Sequence, residues 1–96
     1  MTVDLQRAFE AAEDEYIQFD RIENPRHPRP DIAAFLLLSE LAPGSDDMVL
    51  AAEHDEIYLV TDCEALAEVI TQEQVVELAR CGVRYDEQYD CLAMFI

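Results

Sequence analysis

The sequence predicts a small α+β domain of about four helices and a three- or four-stranded antiparallel sheet. Three observations lead to that class. Apolar residues recur at spacings of three and four near the start of the chain and again after residue 71, the period of a helix face. β-branched and aromatic runs at 57–60, 83–85 and 91–95 read as strands. A chain of 96 residues, 51% of them apolar, is long enough for one domain with one core.

The elements follow in order. Thr2 is placed to cap a first helix, with Asp4 in its first turn. Leu5, Phe9, Ala12, Tyr16 and Phe19 then form one apolar stripe, predicting a helix over about 3–20 within an N-terminal segment 1–22. ENPRHPRP, residues 23–30, holds three prolines and the cluster Arg26, His27 and Arg29. It reads as a stiff, extended connector whose Arg side chains pair with the molecule's own acids. The competing reading is a recognition loop. The rest of the core spans 31–96. Asp31 caps the next helix, IAAFLLLSELA over 32–42, which Pro43-Gly44 stops. That helix is apolar nearly all round, so it is either central to the core or covered by a second copy of the chain.

GSDD is a turn. MVLAA, 48–52, is strand or helical turn, and its period does not decide between them. EHDE interrupts it before the strand Ile57-Tyr58-Leu59-Val60. Asp62 caps a helix over CEALAEVI. Thr71 and Gln74 form a capping box, T-x-x-Q, opening a helix over 72–81 with Val75, Leu78 and Ala79 as its buried face. Gly82 is its C′ residue. VRY and CLAMF then make a hairpin around DEQYD. From residue 31 this order resembles the winged-helix plan: leading helix, short strand, two helices, wing hairpin. That plan would make 72–81 the recognition helix. It carries Glu73, Glu77 and one Arg80, where a DNA reader needs donors for phosphates and base edges.

Charge is the dominant sequence feature. Twenty-two acids face six basic residues, all Arg, for a formal net charge of −16. Residues 31–79 hold twelve acids and no Arg or Lys over 49 positions. Such a field disfavours direct binding to nucleic acid or to an anionic membrane and favours a basic partner surface. The ten acids of 46–77 are Asp46, Asp47, Glu53, Asp55, Glu56, Asp62, Glu64, Glu68, Glu73 and Glu77. Glu64/Glu68 and Glu73/Glu77 are i, i+4 pairs, which place like charges on one helix face at some cost to stability. Together the ten could line a continuous acidic surface that occupies a Lys/Arg groove built for nucleic acid. The plain alternative is a solvated face that aids solubility.

No catalytic or metal signature emerges. His54-Asp55-Glu56 could join carboxylates and imidazole around a hard cation, but the EF-hand, HxxxH and HExxH spacings are absent, and a solvated turn is the better reading. His27 and His54 stand far apart, and two glycines make no phosphate loop. Neither a cofactor nor enzymatic activity is expected. Cys63, Cys81 and Cys91 have no CxxC spacing and read as thiols in a reducing compartment. With no apolar run of about 20 residues and an acidic, amphipathic start, a cytoplasmic protein is expected.

Taken with its size and acidity, the stretch AEHDEIYLVTD…RCGVRYDEQYDCLAMF resembles small accessory proteins of bacteriophages and other mobile elements, among them DNA mimics and anti-CRISPR inhibitors. The resemblance implies a non-catalytic inhibitor that blocks a basic, nucleic-acid-binding host complex. No residue roles carry over from it. The alternative is an adaptor or co-regulator that forms a homodimer through the 32–42 helix.

Overall fold

The computed structural model describes residues 4–41, 49–53, 55–59, 63–86 and 91–95. Among these residues, four helices and a four-stranded antiparallel sheet make an α+β fold. The helices are α1 (Leu5–Ala11), α2 (Pro30–Leu41), α3 (Cys63–Val69) and α4 (Gln72–Arg80). The strands are β1 (Val49–Glu53), β2 (Glu56–Leu59), β3 (Val83–Asp86) and β4 (Cys91–Phe95), in the spatial order β1-β2-β4-β3. The undecided run 48–52 is therefore strand from Val49. It adds one strand to the element order of the winged-helix plan.

The predicted N-terminal helix over 3–20 is corrected. The helix stops at Ala11, and two single 3-10 turns follow, Glu13–Glu15 and Phe19–Arg21. The apolar stripe survives only in part: Leu5, Phe9 and Ala12 are buried, while Tyr16 and Phe19 are half-buried. Three consecutive acids at 13–15 crowd like charge on one turn, and Glu15 leaves the helix line to reach Arg80 and Arg21 at 2.8 and 3.0 Å. Ile17 then adopts φ 64°, the left-handed region, which no continuing right-handed helix allows. Asp4 is the N-cap, its carboxylate accepting from the Arg7 amide at 3.3 Å. Thr2 lies outside the described residues.

The later helices start and stop much as their sequences dictate. The expected cap at Asp31 is corrected: α2 begins at Pro30 and not at Ile32, so Asp31 lies inside the first turn, and Pro30 takes the first helical position, where a missing N–H costs nothing. Ala33, Ala34, Leu37 and Leu38 form its buried face, leaving Leu36 46% exposed. Pro43, Gly44 and the GSDD turn lie outside the described residues, as does Asp62. The capping box of α4 is complete: Thr71 Oγ1 accepts from the Gln74 amide at 3.2 Å, and Gln74 Oε1 from the Thr71 amide at 2.9 Å. Gly82 closes α4 at φ 98°, its N–H donating to the Ala79 carbonyl at 2.9 Å. A Cβ there would meet nothing nearer than Met94 Cε at 4.0 Å, so conformation and not space selects glycine.

The sheet register sorts residues by face. Ile57, Met94 and Val83 align across β2, β4 and β3 and join the main core beneath the helices with Leu59 and Leu92. Tyr58, Ala93 and Arg84 align on the other face. There Arg84 lies over the Phe95 ring at 4.8 Å and pairs with Glu56 and Asp86. The β1–β2 connection passes through Asp55 at φ 65°, a conformation Asp tolerates better than most. Gln72 ties α4 to α1 by donating its side-chain N–H to the Ala8 carbonyl at 3.0 Å. No helix among the described residues is long and apolar enough to cross a membrane.

A candidate partner-binding surface

The six arginines define the electrostatics by what they are engaged in. Each lies within 3.7 Å of a carboxylate of the same molecule. Arg7 pairs with Asp4 at 3.7 Å, Arg21 with Glu15 at 3.0 Å and Arg29 with Asp31 at 3.6 Å. Arg80 pairs with Glu15 at 2.8 Å, and Arg84 pairs with Glu56 and with Asp86. Arg26 bridges two helices: Nη1 donates to Glu40 of α2 at 2.6 Å and Nε to Glu77 of α4 at 3.2 Å. The expected extended connector over 23–30 is corrected: the chain bends at 23–24 and 26–29, Asn24 sits at φ 51°, and Pro30 already belongs to α2; the pairing of Arg26 and Arg29 with the molecule's own acids holds. His27 Nδ1 accepts the Arg29 amide at 3.1 Å, a local turn contact.

The ten predicted contact residues fare differently. Asp46, Asp47 and Asp62 lie outside the described residues, as does the side chain of Glu53. Asp55, Glu64, Glu68 and Glu73 are exposed. Glu56 is half-buried, engaged by Arg84 and by the Tyr58 hydroxyl, which donates to it at 3.3 Å. Glu77 is half-buried and engaged by Arg26. These two carboxylates therefore hold the fold together and have little charge left for a partner.

Glu64 and Glu68 sit one turn apart on α3 and line a shallow recess of about 360 Å³. The structure adds Asp4 to its wall, a residue sequence reading placed only in the first turn of a helix capped by Thr2. Their convergence follows from α1 and α3 meeting near Leu5 and Ala67. A larger cleft of about 550 Å³ lies between α1 and β3, floored by Phe9, Ala12 and Val83. It involves none of the ten predicted acids. The Phe9–Tyr16 stripe hinted at it, but the pairing of that stripe with β3 is a tertiary fact with no sequence signal.

Among the described residues, no group of three or more His, Cys, Asp and Glu side chains could hold a metal ion. Burial and the neighbouring Glu77 push the Cys81 thiol up to about 11, so it stays protonated and unreactive at neutral pH. The Arg80 hydrogen bond holds the Glu15 carboxyl below its ordinary range, against a smaller opposing effect of burial. Comparison with protein-family models, with curated proteins and with solved structures returned no match.

Proposed function

We propose that this is a non-catalytic acidic protein that binds and blocks a basic, nucleic-acid-binding surface of another protein. One observation carries the reading: all six arginines are engaged by the molecule's own carboxylates, while Asp55, Glu64, Glu68 and Glu73 stay exposed. A cationic groove would be drawn to these exposed carboxylates. Such an encounter is fast, steered over long range and strongly weakened by salt. In the winged-helix comparison, α4 would be the reading helix; its exposed Glu73 repels phosphate and suits the groove of a protein instead. An anti-CRISPR-type or DNA-mimic inhibitor fits this chemistry.

The test is capture from bacterial lysate with the wild-type chain and with Asp55, Glu64, Glu68 and Glu73 all changed to Lys. Glu56 and Glu77 are left intact because they hold Arg84 and Arg26. Recovery of one nucleic-acid-binding complex, released by duplex DNA or RNA and lost in the variant, supports the reading. Equal capture by the folded variant refutes it.

A second reading is favoured by Leu36. It is 46% exposed on a helix with half-buried Ile32 and Phe35, the composition of a covered face. An adaptor or co-regulator dimerised through 32–42 would sediment as a dimer indifferent to salt and would dissociate on Leu36→Glu.

A further inference from the structure

The cleft between α1 and β3 lies outside residues 46–77, and its two walls have different origins. On one side Gln6, Phe9 and Glu10 share the i, i+3, i+4 stripe of α1, and Glu13 follows in the first 3-10 turn. On the other side Val83, Arg84 and Tyr85 are consecutive. Successive side chains of a strand point to opposite faces of the sheet. Three in a row can border one cleft only if it opens along the strand's edge. Among the described residues, β3 ends the sheet and is hydrogen-bonded in it to β4 alone. An edge strand turns the N–H and C=O of every second residue outward; Val83 is fully buried, so the half-buried Arg84 is the one of the two that can present them to the cleft.

The mouth is fixed at some cost. Tyr16 lines the cleft between two anchored neighbours. Before it, Glu15 is clamped by Arg80 and Arg21. After it, the Ile17 N–H donates to the Ala79 carbonyl at 3.0 Å while Ile17 sits at φ 64°. A β-branched residue in the left-handed region is strained, and such strain clusters at ligand clamps and switch regions. The floor is apolar, with Phe9 and Val83 buried. The rim is acidic, with Glu10 and Glu13 exposed, and Arg84, the one cation among the described lining residues, pairs with Glu56 and Asp86.

We propose that this cleft receives an extended basic peptide segment of a partner protein. The segment pairs with the outer edge of β3 as an added strand, the mode by which sheets recruit extended peptides. It sets an apolar side chain against Phe9 and Tyr16, and its Arg or Lys residues meet Glu10 and Glu13. The charge of the rim selects against acidic segments. The site uses residues 6–16 and 79–85, so it stands or falls apart from the acidic surface proposed above.

The experiment is titration of the isotope-labelled full chain with synthetic hexapeptides in about 0.15 M salt, where surface attraction is screened beyond ~8 Å. The peptides alternate Arg or Lys with each of Val, Leu, Ile, Phe and Tyr. Matched peptides carry Glu in place of the basic residue or N-methyl groups along one edge. At least one basic peptide is expected to shift amide signals confined to 6–17 and 79–86. The Glu and N-methyl peptides are expected to fail. Glu10→Gln/Glu13→Gln should weaken binding about tenfold, the combined loss of two solvent-exposed ion pairs, and Glu10→Lys/Glu13→Lys should weaken it further. Both positions are exposed, so the fold should survive either change. The inference is overturned if no basic peptide binds, if the shifts fall on 46–77 instead, if the N-methyl peptide binds equally, or if both folded double variants keep full affinity.

Discussion

Replacing Ile17 with Gly should leave stability nearly unchanged, while the same replacement at Leu36 should be clearly destabilising. Ile17 is 64% exposed at φ 64°, and Leu36 is 46% exposed inside α2. The left-handed conformation costs an L-residue ~1–2 kcal/mol, which glycine does not incur. Against that gain, Ile17→Gly gives up roughly a third of the ~2 kcal/mol of a fully buried aliphatic side chain. It also adds ~0.4–1 kcal/mol of unfolded-chain freedom. The contributions cancel to within about 0.5 kcal/mol. At Leu36 nothing offsets the losses: roughly half of ~2 kcal/mol of burial goes, with ~1 kcal/mol for glycine in a helix interior. That sums to about 2 kcal/mol. Both changes leave the Ile17–Ala79 backbone hydrogen bond in place. Urea unfolding of the two variants at pH 7 reads the contrast directly. With m of ~1–3 kcal/mol per M, the midpoints should differ by roughly 1 M. If Ile17→Gly loses as much as Leu36→Gly, the strain argument at Ile17 is wrong.

Two further outcomes are expected. Arg80 lowers the folded-state pKa of Glu15 below its ordinary value of 4.5, so its contribution to stability is complete above that value and is lost as pH falls through the depressed one. Stability measured from pH 7 downward should therefore fall less steeply in Glu15→Gln than in the wild-type chain, and parallel curves would refute the pairing. Cys81, buried and pushed up to about 11, should resist iodoacetamide at pH 8 in the native protein and react once urea unfolds it. Mapping of the alkylated peptide separates it from Cys63 and Cys91, and rapid native labelling at Cys81 would contradict its burial.

Local chemistry was legible wherever one short segment decides its own geometry. The capping box at Thr71–Gln74 and the stop at Gly82 gave α4 its ends, because both act within a single turn. The strand at 57–59 and the β3–β4 hairpin followed from β-branched and aromatic runs, and all three strands fall in the described sheet. The N-terminal helix did not follow. Tyr16 and Phe19 continue the apolar spacing, but Glu15 is drawn to Arg80, 65 residues away, and the chain turns to follow it. The same limit applies to the acidic surface. The i, i+4 carboxylate pairs were readable; that Glu56 and Glu77 are held by Arg84 and Arg26 was not, because those partners come from other elements. Segregation of charge along the chain does not fix segregation on the surface.

The long-range ties to α4 have a consequence for synthesis on the ribosome. Glu15, Arg26 and Ala8 bind Arg80, Glu77 and Gln72 across sequence separations of 65, 51 and 64 residues. The first third of the chain leaves the exit tunnel with none of these partners yet made. At ~5–20 residues per second, the wait for α4 is roughly 3–13 s. During that interval Leu5, Phe9 and Phe19 have no core to enter. Residues 1–22 carry Asp4, Glu10, Glu13, Asp14, Glu15 and Asp20 against only Arg7 and Arg21, and nascent chains with that negative excess repel one another. The acids of the N-terminal segment thus act before the fold exists, keeping a waiting apolar stripe from associating with its copies.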